Sequence, residues 1–501
     1  MSGRSLPLFI GADVAMMKAF TYKSAPAHVL FGAGTLARLP DVVGELGGTR
    51  ALLLSTPEQA SQVRALGGPL GNLAVAYFHE ATLHTPIEVT ERAMRLVHEH
   101  RIDIVVALGG GSTIGLGKAI GLRADIAQIA IPTTYAGSEM TPIIGQLANG
   151  IKTTQRSIKV LPRAVIYDVE LTLSLPPSLS GTSGINAIAH AVEGLYAQDT
   201  NPVMQLMAEE GIRALAHALP GIVREPGDRR ARADALYGAW LCGTVLGNVG
   251  MALHHKLCHT VGGSFNLPHA ETHAIILPHV VAYNSLGVPE AIARVARALD
   301  VVEPANALFD LARRVSAPAA LRDLGMPEGG VEQAVDEALR NPYWNPRPLE
   351  RSALAALLRR AWAGERPRLC GDAGVQVTPV SYWQLRTGAP DIGAMIGALE
   401  ELPEAHAREY VFGCGVSAFR MIVVRRAGAI HAYLNLCPHM SLPLNQEPGV
   451  FLSRDGQTLV CSRHFAQFEI EGGLCIAGAC VGSRLERIPV HSDADHNMRI
   501  G

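Results

Sequence analysis

Little in this 501-residue chain points to a strongly charged or membrane-bound partner. Lysine plus arginine (43) and aspartate plus glutamate (45) nearly cancel to a formal charge of −2, so no basic excess is available for a nucleic-acid backbone. No uninterrupted apolar run reaches the ~18 residues a membrane helix needs. The N-terminal MSGRSLPLFIGADVAMMKAF has an aspartate inside its short apolar patch and no clear cleavage site, which argues against a signal peptide. Internal repeats and low-complexity tracts are absent. The eight cysteines are not spaced as a disulfide framework. Four of them lie between 437 and 480, a clustering that in a cytosolic protein points to metal binding. What remains is an ordinary globular balance, 48% hydrophobic and 18% charged, expected in the cytoplasm with neither nucleic acid nor membrane as a partner. At roughly 100–200 residues per domain, the length predicts about three domains.

The texture changes along the chain. Residues 1–17 read as an N-terminal extension. From 18 to 180, short apolar runs (RALLLS, IDIVVALGGG, IAQIAIPTT, AVIYD) alternate with helical stretches such as IEVTERAMRLVHEHR, the pattern of an α/β dinucleotide-binding domain with a doubly wound parallel sheet. Residues 181–364 are almost all helical, with apolar residues at three- and four-residue spacing. Residues 365–399 lose that periodicity and read as a linker, with one short helix near 392–401. Residues 400–495 are short alternating strands (REYVFG, FRMIVVRR, AIHAYLN, QTLVCS, FEIEGG), a small all-β module.

IDIVVALGGGSTIGLGKAI places Gly110, Gly111 and Ser112 after a buried strand and before a helix, where backbone N–H groups can approach a pyrophosphate. The motif is not GxGxxG, so the Rossmann fingerprint does not apply. IPTTYAGSEMTP adds Thr133, Thr134 and Ser138 after the next strand, at the ends where open α/β sheets bind ligands. Strand RALLLS ends at Ser55 without the carboxylate that binds a ribose 2′-hydroxyl, so a 2′-phosphate meets no repulsion and both NADH and NADPH stay open.

A carboxylate is also missing from the histidine-rich region. Asn186 and His190 share a helix face in SGINAIAHAVE. His255 and His259 are one turn apart in MALHHKLCHTVGGSFNLPH, and His269 follows a bend. Three histidines and a fourth group could hold a divalent metal that polarises a carbonyl, but asparagine is a neutral, weak ligand. The same residues also suit a metal-free hydrogen-bonded cluster.

FGAG (31–34), HTP (84–86), GGGSTIGLGKAI, IPTTYAGSEMTPI, LPRAVIYD, GTSGINAIAHAVEGLYA, HHKLCHTVGGSFNLPHAETHA and NPYWNPRP (341–348) together resemble the group III, iron-type alcohol dehydrogenase superfamily and, within it, the maleylacetate reductases. The resemblance runs from about Lys18 to 364 and implies a dehydroquinate synthase-like architecture, with a nucleotide-binding domain, a helical domain and the site between them. It implies NAD(P)H-dependent reduction of maleylacetate to 3-oxoadipate in the bacterial breakdown of aromatic compounds, and a homodimer. The superfamily's metal positions correspond to Asn186, His190, His255 and His269, with His259 at a proton-relay position and Lys152 near the cofactor. The asparagine is itself like the maleylacetate reductases, so no catalytic metal is expected. His255 and His259 become the candidates for oxyanion donor and general acid, and Arg347 and Lys256 for partners of the substrate carboxylates.

Cys437-Pro-His439 and, 21 residues on, Cys461-Ser-Arg-His464 form C-x-H…C-x2-H. Two thiolates and two imidazoles can hold a [2Fe–2S] cluster, the cysteines on one iron and the histidines on the other; zinc is the alternative for such a set. The setting between short strands resembles the Rieske ferredoxin-like fold. No further cysteine sits in either ligand loop, so the loop-bridging disulfide of respiratory Rieske proteins is absent, and Cys475 and Cys480 read as packing thiols. Hydride chemistry needs two electrons and the cluster carries one, so the module reads as a second function, with an aromatic-ring oxygenase or its reductase as redox partner. The competing readings are a metal-dependent alcohol dehydrogenase or cyclase of the same superfamily, and a chain that is mainly an electron carrier.

Overall fold

The computed structural model describes residues 28–148, 151–368, 382–386, 388–413, 418–438, 443–445, 449–463, 465–478, 480–481 and 483–501. The extension over 1–17, much of the expected linker, and His439 and His464 lie outside these residues. The chain divides into two compact units, one within Phe20–Val375 and the other within Gln376–Gly501.

The larger unit begins with a six-stranded parallel sheet, built from β1 (His28–Phe31), β2 (Ala51–Leu54), β3 (Ala74–Phe78), β4 (Ile104–Gly109), β5 (Ala127–Pro132) and, after the β6–β7 hairpin (Ile143–Ala148, Ile151–Arg156), β8 (Ala164–Tyr167). Its spatial order is β1-β8-β5-β4-β2-β3. Helices α1 (Leu39–Glu45), α2 (Ala60–Leu70), α3 (Ile87–Glu99) and α4 (Gly111–Ala124) connect the strands. β2 and β4 are buried at every position, as a sheet covered on both faces requires. Alternate residues serve opposite cores: Leu53, Val106 and Ile129 one, Leu52, Val105 and Ala107 the other. The chain leaves β2 for β3 on one side and returns to β4 on the other. Strand order therefore reverses between β2 and β4, which is where an open α/β sheet leaves a crevice at its carboxyl ends.

Among the described residues nine helices follow: α5 (Pro177–Tyr196), α6 (Pro202–Arg224), α7 (Arg229–Asn248), α8 (Leu253–Phe265), α9 (His269–Asn284), α10 (Pro289–Leu299), α11 (Pro304–Arg314), α12 (Gly330–Arg340) and α13 (Arg351–Ala363). α5 is central, buried from Ser180 to Tyr196. α8, α9, α12 and α13 share one core through Leu257, Val261, Ile276, Val335 and Leu358. The sheet's loops meet α7 where Gly137, at φ +77°, faces Gly243. A Cβ on Gly137 would lie 2.9 Å from the Gly243 Cα, so only two glycines allow this approach. Among the described residues no single helix is long and apolar enough to cross a membrane.

The described residues of the smaller unit form three three-stranded antiparallel sheets. One pairs β9 (Met395–Ala398) with β17 (Asn497–Ile500), and β17 with β16 (Val490–Ser492). The second is β10 (His406–Phe412), β11 (Phe419–Arg426) and β12 (Ala429–Leu434), and the third β13 (Thr458–Val460), β14 (Gln467–Glu469) and β15 (Cys475–Ala477). The helix expected near 392–401 is instead strand β9 and a 3-10 turn at Leu399–Glu401; pairing with β17, a contact with the far end of the chain, overrides the local pattern. Trp383, from the stretch read as linker, is fully buried in this unit's core with Phe419 and Met498.

Candidate active site and metal centre

The crevice between β2 and β4 has the surface a dinucleotide needs. Gly109 ends β4 at φ +154°, and a Cβ there would stand 2.5 Å from the Thr113 hydroxyl, so only glycine lets the chain turn into α4. Gly110 and Gly111 follow at the α4 N-terminus, with Gly111 exposed and Ser112 half-buried, leaving helix N–H groups open to an anion. Thr134 packs against Gly110, where a Cβ would meet its Cγ2 at 3.0 Å. Thr133 is tied to Gly109 through its N–H and accepts from Gln59 Nε2 at 3.1 Å. Ser55 is fully buried at the end of β2, its Oγ 2.7 Å from His79 Nδ1. The loop carrying Ser138 is anchored by Lys118. This buried ammonium donates to the carbonyls of Ser138 (2.5 Å), Thr141 (2.8 Å) and Ile143 (2.9 Å) and to Thr141 Oγ1 (2.8 Å). Burial pulls its pKa down to about 7, and Glu139 opposes that shift. Lys118→Met would leave these acceptors facing an apolar chain, and urea unfolding should show a loss of about 3–5 kcal/mol. The Lys152 side chain lies outside the described residues.

Six histidines gather where α5, α8 and α9 meet, and they split into two kinds. His190, His254, His255 and His273 are buried; His259 and His269 are exposed. Glu193, fully buried on α5, accepts from the N–H groups of Ala252 (2.8 Å) and His254 (2.6 Å) at the start of α8 and from His255 Nδ1 (2.7 Å). His255 Nε2 lies 2.8 Å from His190 Nδ1. The far nitrogen of that ring, His190 Nε2, is buried and makes no well-formed hydrogen bond, although the Ala136 backbone lies against the ring; Asn186 Oδ1, one turn earlier, is buried without a partner. Buried polar atoms are rarely left so, and these two mark where a bound molecule would be met. Burial, then the neighbouring imidazoles His255 and His269, hold the pKa of His190 well below the usual range. On the open side, His259 Nδ1 meets the Tyr343 hydroxyl at 3.3 Å. Burial raises the Tyr343 pKa, which keeps the phenol a donor. A separate pair, His254 Nε2 and His273 Nδ1, is hydrogen-bonded at 2.9 Å.

In the smaller unit, Cys437 and Cys461 lie 3% and 2% exposed in one core with Leu444, Phe451, Phe468 and Leu485. Cys437 follows β12 and Cys461 follows β13 directly. Asn435 joins the first loop to itself, its Oδ1 accepting from the Leu444 N–H and its Nδ2 donating to Asn445 and Glu409. The second loop is tied to the first: the Ser462 N–H and Oγ both donate to the Leu444 carbonyl, at 2.7 and 3.0 Å. The two thiols are thus held in linked, dry loops. His439 and His464 lie outside the described residues. Cys475 packs in the core as expected. Cys480 does more, with its thiol 3.5 Å from Cys475 Sγ and hydrogen-bonded to Cys437.

Residues 26–169 match the iron-containing alcohol dehydrogenase family and residues 180–362 its C-terminal domain; residues 395–489 match the Rieske [2Fe-2S] domain. Maleylacetate reductase of Burkholderia cepacia is 56% identical over 351 residues, covering 70% of this chain and 100% of that protein. That of Rhizobium sp. (strain MTP-10005) is 54% identical with the same coverage. The crystal structure of maleylacetate reductase from Agrobacterium tumefaciens matches at TM-score 0.69 and 54% identity, over 70% of this chain and 100% of that one.

The chain belongs to the iron-containing alcohol dehydrogenase family. It is an oxidoreductase of the maleylacetate reductase type with a Rieske [2Fe–2S] domain at its C-terminal end.

The family's metal fits poorly here. Asn186 offers a carboxamide where a carboxylate would bind, and His255 has both ring nitrogens engaged, one by Glu193 and one by His190. The [2Fe–2S] group fits the thiols, because soft donors in a dry pocket suit iron–sulfur ligation. Two expectations change on the structure. His255 has both ring nitrogens taken, one by Glu193 and one by His190, so it links these two residues rather than offering a free donor. Arg347 is held elsewhere: it donates to the Tyr283 carbonyl at 3.0 Å and stacks 4.2 Å over the Tyr283 ring. Sequence reading missed Glu193 and Tyr343. Glu193 could have been found, since at positions 186, 190 and 193 it continues the face set by Asn186 and His190; Tyr343 carried no such signal.

Proposed function

We propose that the larger unit reduces maleylacetate to 3-oxoadipate with NADH or NADPH, without a catalytic metal, in the degradation of aromatic compounds. The observation that carries this reading is the Glu193–His255–His190 chain ending in a buried nitrogen that makes no well-formed hydrogen bond. A bound reduced nicotinamide supplies the hydride. Maleylacetate is a dianion whose carbon–carbon double bond is conjugated to a ketone. Hydride addition at the carbon β to the ketone breaks the π bond and places charge on the ketone oxygen as an enolate. Donors aimed at that oxygen lower the barrier. With a proton on His255, its Nε2–H donates to His190 Nδ1, and His190 presents Nε2–H to the oxygen; Glu193 stabilises the resulting positive charge on His255. His259, exposed and paired with Tyr343, then brings the proton that completes the new C–H bond at the α carbon. Asn186 offers its amide beside His190 as a further hydrogen-bonding group.

Fast oxidation of NADH or NADPH on adding maleylacetate to EDTA-treated protein is the expected result. Turnover that appears only after iron or zinc is restored would sink the metal-free mechanism.

For the smaller unit we propose a [2Fe–2S] cluster on Cys437, His439, Cys461 and His464, exchanging electrons with an aromatic-ring oxygenase or its reductase. Held by these residues, the group would supply one-electron transfer. The buried, mutually linked thiol loops support this reading. Cys461→Ser should abolish the visible absorption and electron paramagnetic resonance of the cluster while maleylacetate turnover changes less than about twofold, since hydride transfer does not need iron.

A further inference from the structure

Beside His259 lies an open cavity of about 340 Å³, within the range of small-molecule sites, between α8 and the C-terminal end of α12. Lys256, His259, Thr260, Glu337, Arg340 and Asn341 line it. Lys256 Nζ stands 5.7 Å from the centre of the Tyr343 ring, whose hydroxyl meets His259. From His259 the rings of His255 and His190 follow inward at successive centre-to-centre distances of 6.0 and 4.9 Å. His259 thus stands both on the cavity wall and at the exposed end of the row of histidines. Its wall sets two cations, Lys256 and Arg340, against one carboxylate. That carboxylate, Glu337, accepts from Ser264 Oγ and from Gln333 Nε2 (2.8 Å). These bonds, and the two cations beside it, hold its pKa below the usual range. An anion entering the cavity meets two positive side chains against one carboxylate, whose oxygens are already hydrogen-bonded to Ser264 and Gln333.

We infer that this cavity is the anion subsite of the active site: Lys256 and Arg340 together bind the terminal carboxylate of an extended dicarboxylate, the one farther from the carbon that receives hydride. The inference rests on the proposed reductase reading and goes beyond it by assigning the carboxylate's partners, including an arginine on α12 rather than Arg347. Charge-assisted pairs of this kind orient as well as attract, because a guanidinium can present two parallel N–H groups to one carboxylate. Holding the outer end leaves the enone to extend past His259 towards His190.

The test uses Arg340→Gln and Lys256→Gln in the full chain. Binding of 3-oxoadipate, measured by calorimetry, should weaken by about tenfold or more in each, and the KM for maleylacetate should rise by a similar factor. The loss should fall on KM rather than kcat, with the KM for NADH unmoved. Preference for maleylacetate over its monoester at that carboxylate should shrink in step. Unaltered 3-oxoadipate binding in both variants overturns the assignment, whatever the turnover. If the unmodified protein does not reduce maleylacetate, yet Arg340→Gln still loses dicarboxylate binding, the reaction reading falls and the anion subsite stands.

Discussion

Glu193→Gln should lower kcat for maleylacetate by roughly 10²- to 10⁴-fold, the scale seen when a buried carboxylate that orients a catalytic histidine is made neutral. The carboxylate accepts from His255 Nδ1 at 2.7 Å, which fixes that ring's tautomer and leaves Nε2 for His190. An amide in its place would present an N–H to the same nitrogen, turn the tautomer round and remove the charge that stabilises an imidazolium. The β2–β4 crevice proposed for the dinucleotide contains none of these residues, so the KM for NADH should be untouched and serves as an internal control. The glutamate also accepts from two N–H groups at the start of α8. Some stability, about 1–3 kcal/mol, should therefore be lost as well. Urea unfolding separates that loss from the kinetic one, and the pH profile of kcat should move only if the relay is real. A folded variant that keeps kcat within about threefold would remove the carboxylate from the mechanism.

The larger unit should also be acid-labile well above the range where carboxylates protonate. Burial holds His190, His254 and His273 well below the ordinary histidine pKa, and His279, also buried, down to about 4. In the unfolded chain each titrates near 6.5, so below that pH the unfolded state binds protons that the folded state refuses. Stability from these groups is complete above about pH 6.5 and declines as pH falls towards the folded values, by up to about 1.4 kcal/mol per group per pH unit. For His279 alone the loss between pH 7 and 5 is roughly 2 kcal/mol. The other three act in the same direction, and even a few kcal/mol is a large share of an ordinary domain's stability. Urea midpoints of the larger unit's transition at pH 7 and pH 5 test this directly. Equal midpoints would mean that the cluster already carries its protons when folded. His279→Gln should flatten part of the slope, because His279 lies apart from the relay and its removal leaves the others in place.

Local pattern carried most of the architecture. Fully apolar runs ending in glycine or threonine specify parallel strands buried on both faces, and Gly109–Gly111 specify a turn that admits an anion, because only glycine tolerates the φ of +154° at Gly109 and the 2.5 Å approach to Thr113. The four-residue spacing of Asn186 and His190, and of His255 and His259, puts each pair on one helix face wherever the helix lies. The C-x-H…C-x2-H spacing likewise marks a two-thiolate, two-imidazole metal set, and the short strands around it point to a cluster rather than zinc. Where local pattern failed, at 392–401, a partner strand more than 95 residues further along the chain decided the matter.

Which nitrogen meets which partner was not legible, and could not be. His255 was a candidate donor by residue type, and only the packing of α8 against Glu193 of α5 shows that its ring joins that carboxylate to His190. Arg347 and Arg340 are equally charged in the sequence. Only packing lays one on the Tyr283 ring and sets the other on the wall beside His259. Spacing along a helix or strand fixes a residue's direction relative to its own backbone, so residue types and faces can be read from the chain alone. Hydrogen-bond partners, burial and the pKa shifts that burial causes depend on what other elements bring within a few ångströms, and these the folded arrangement alone decides.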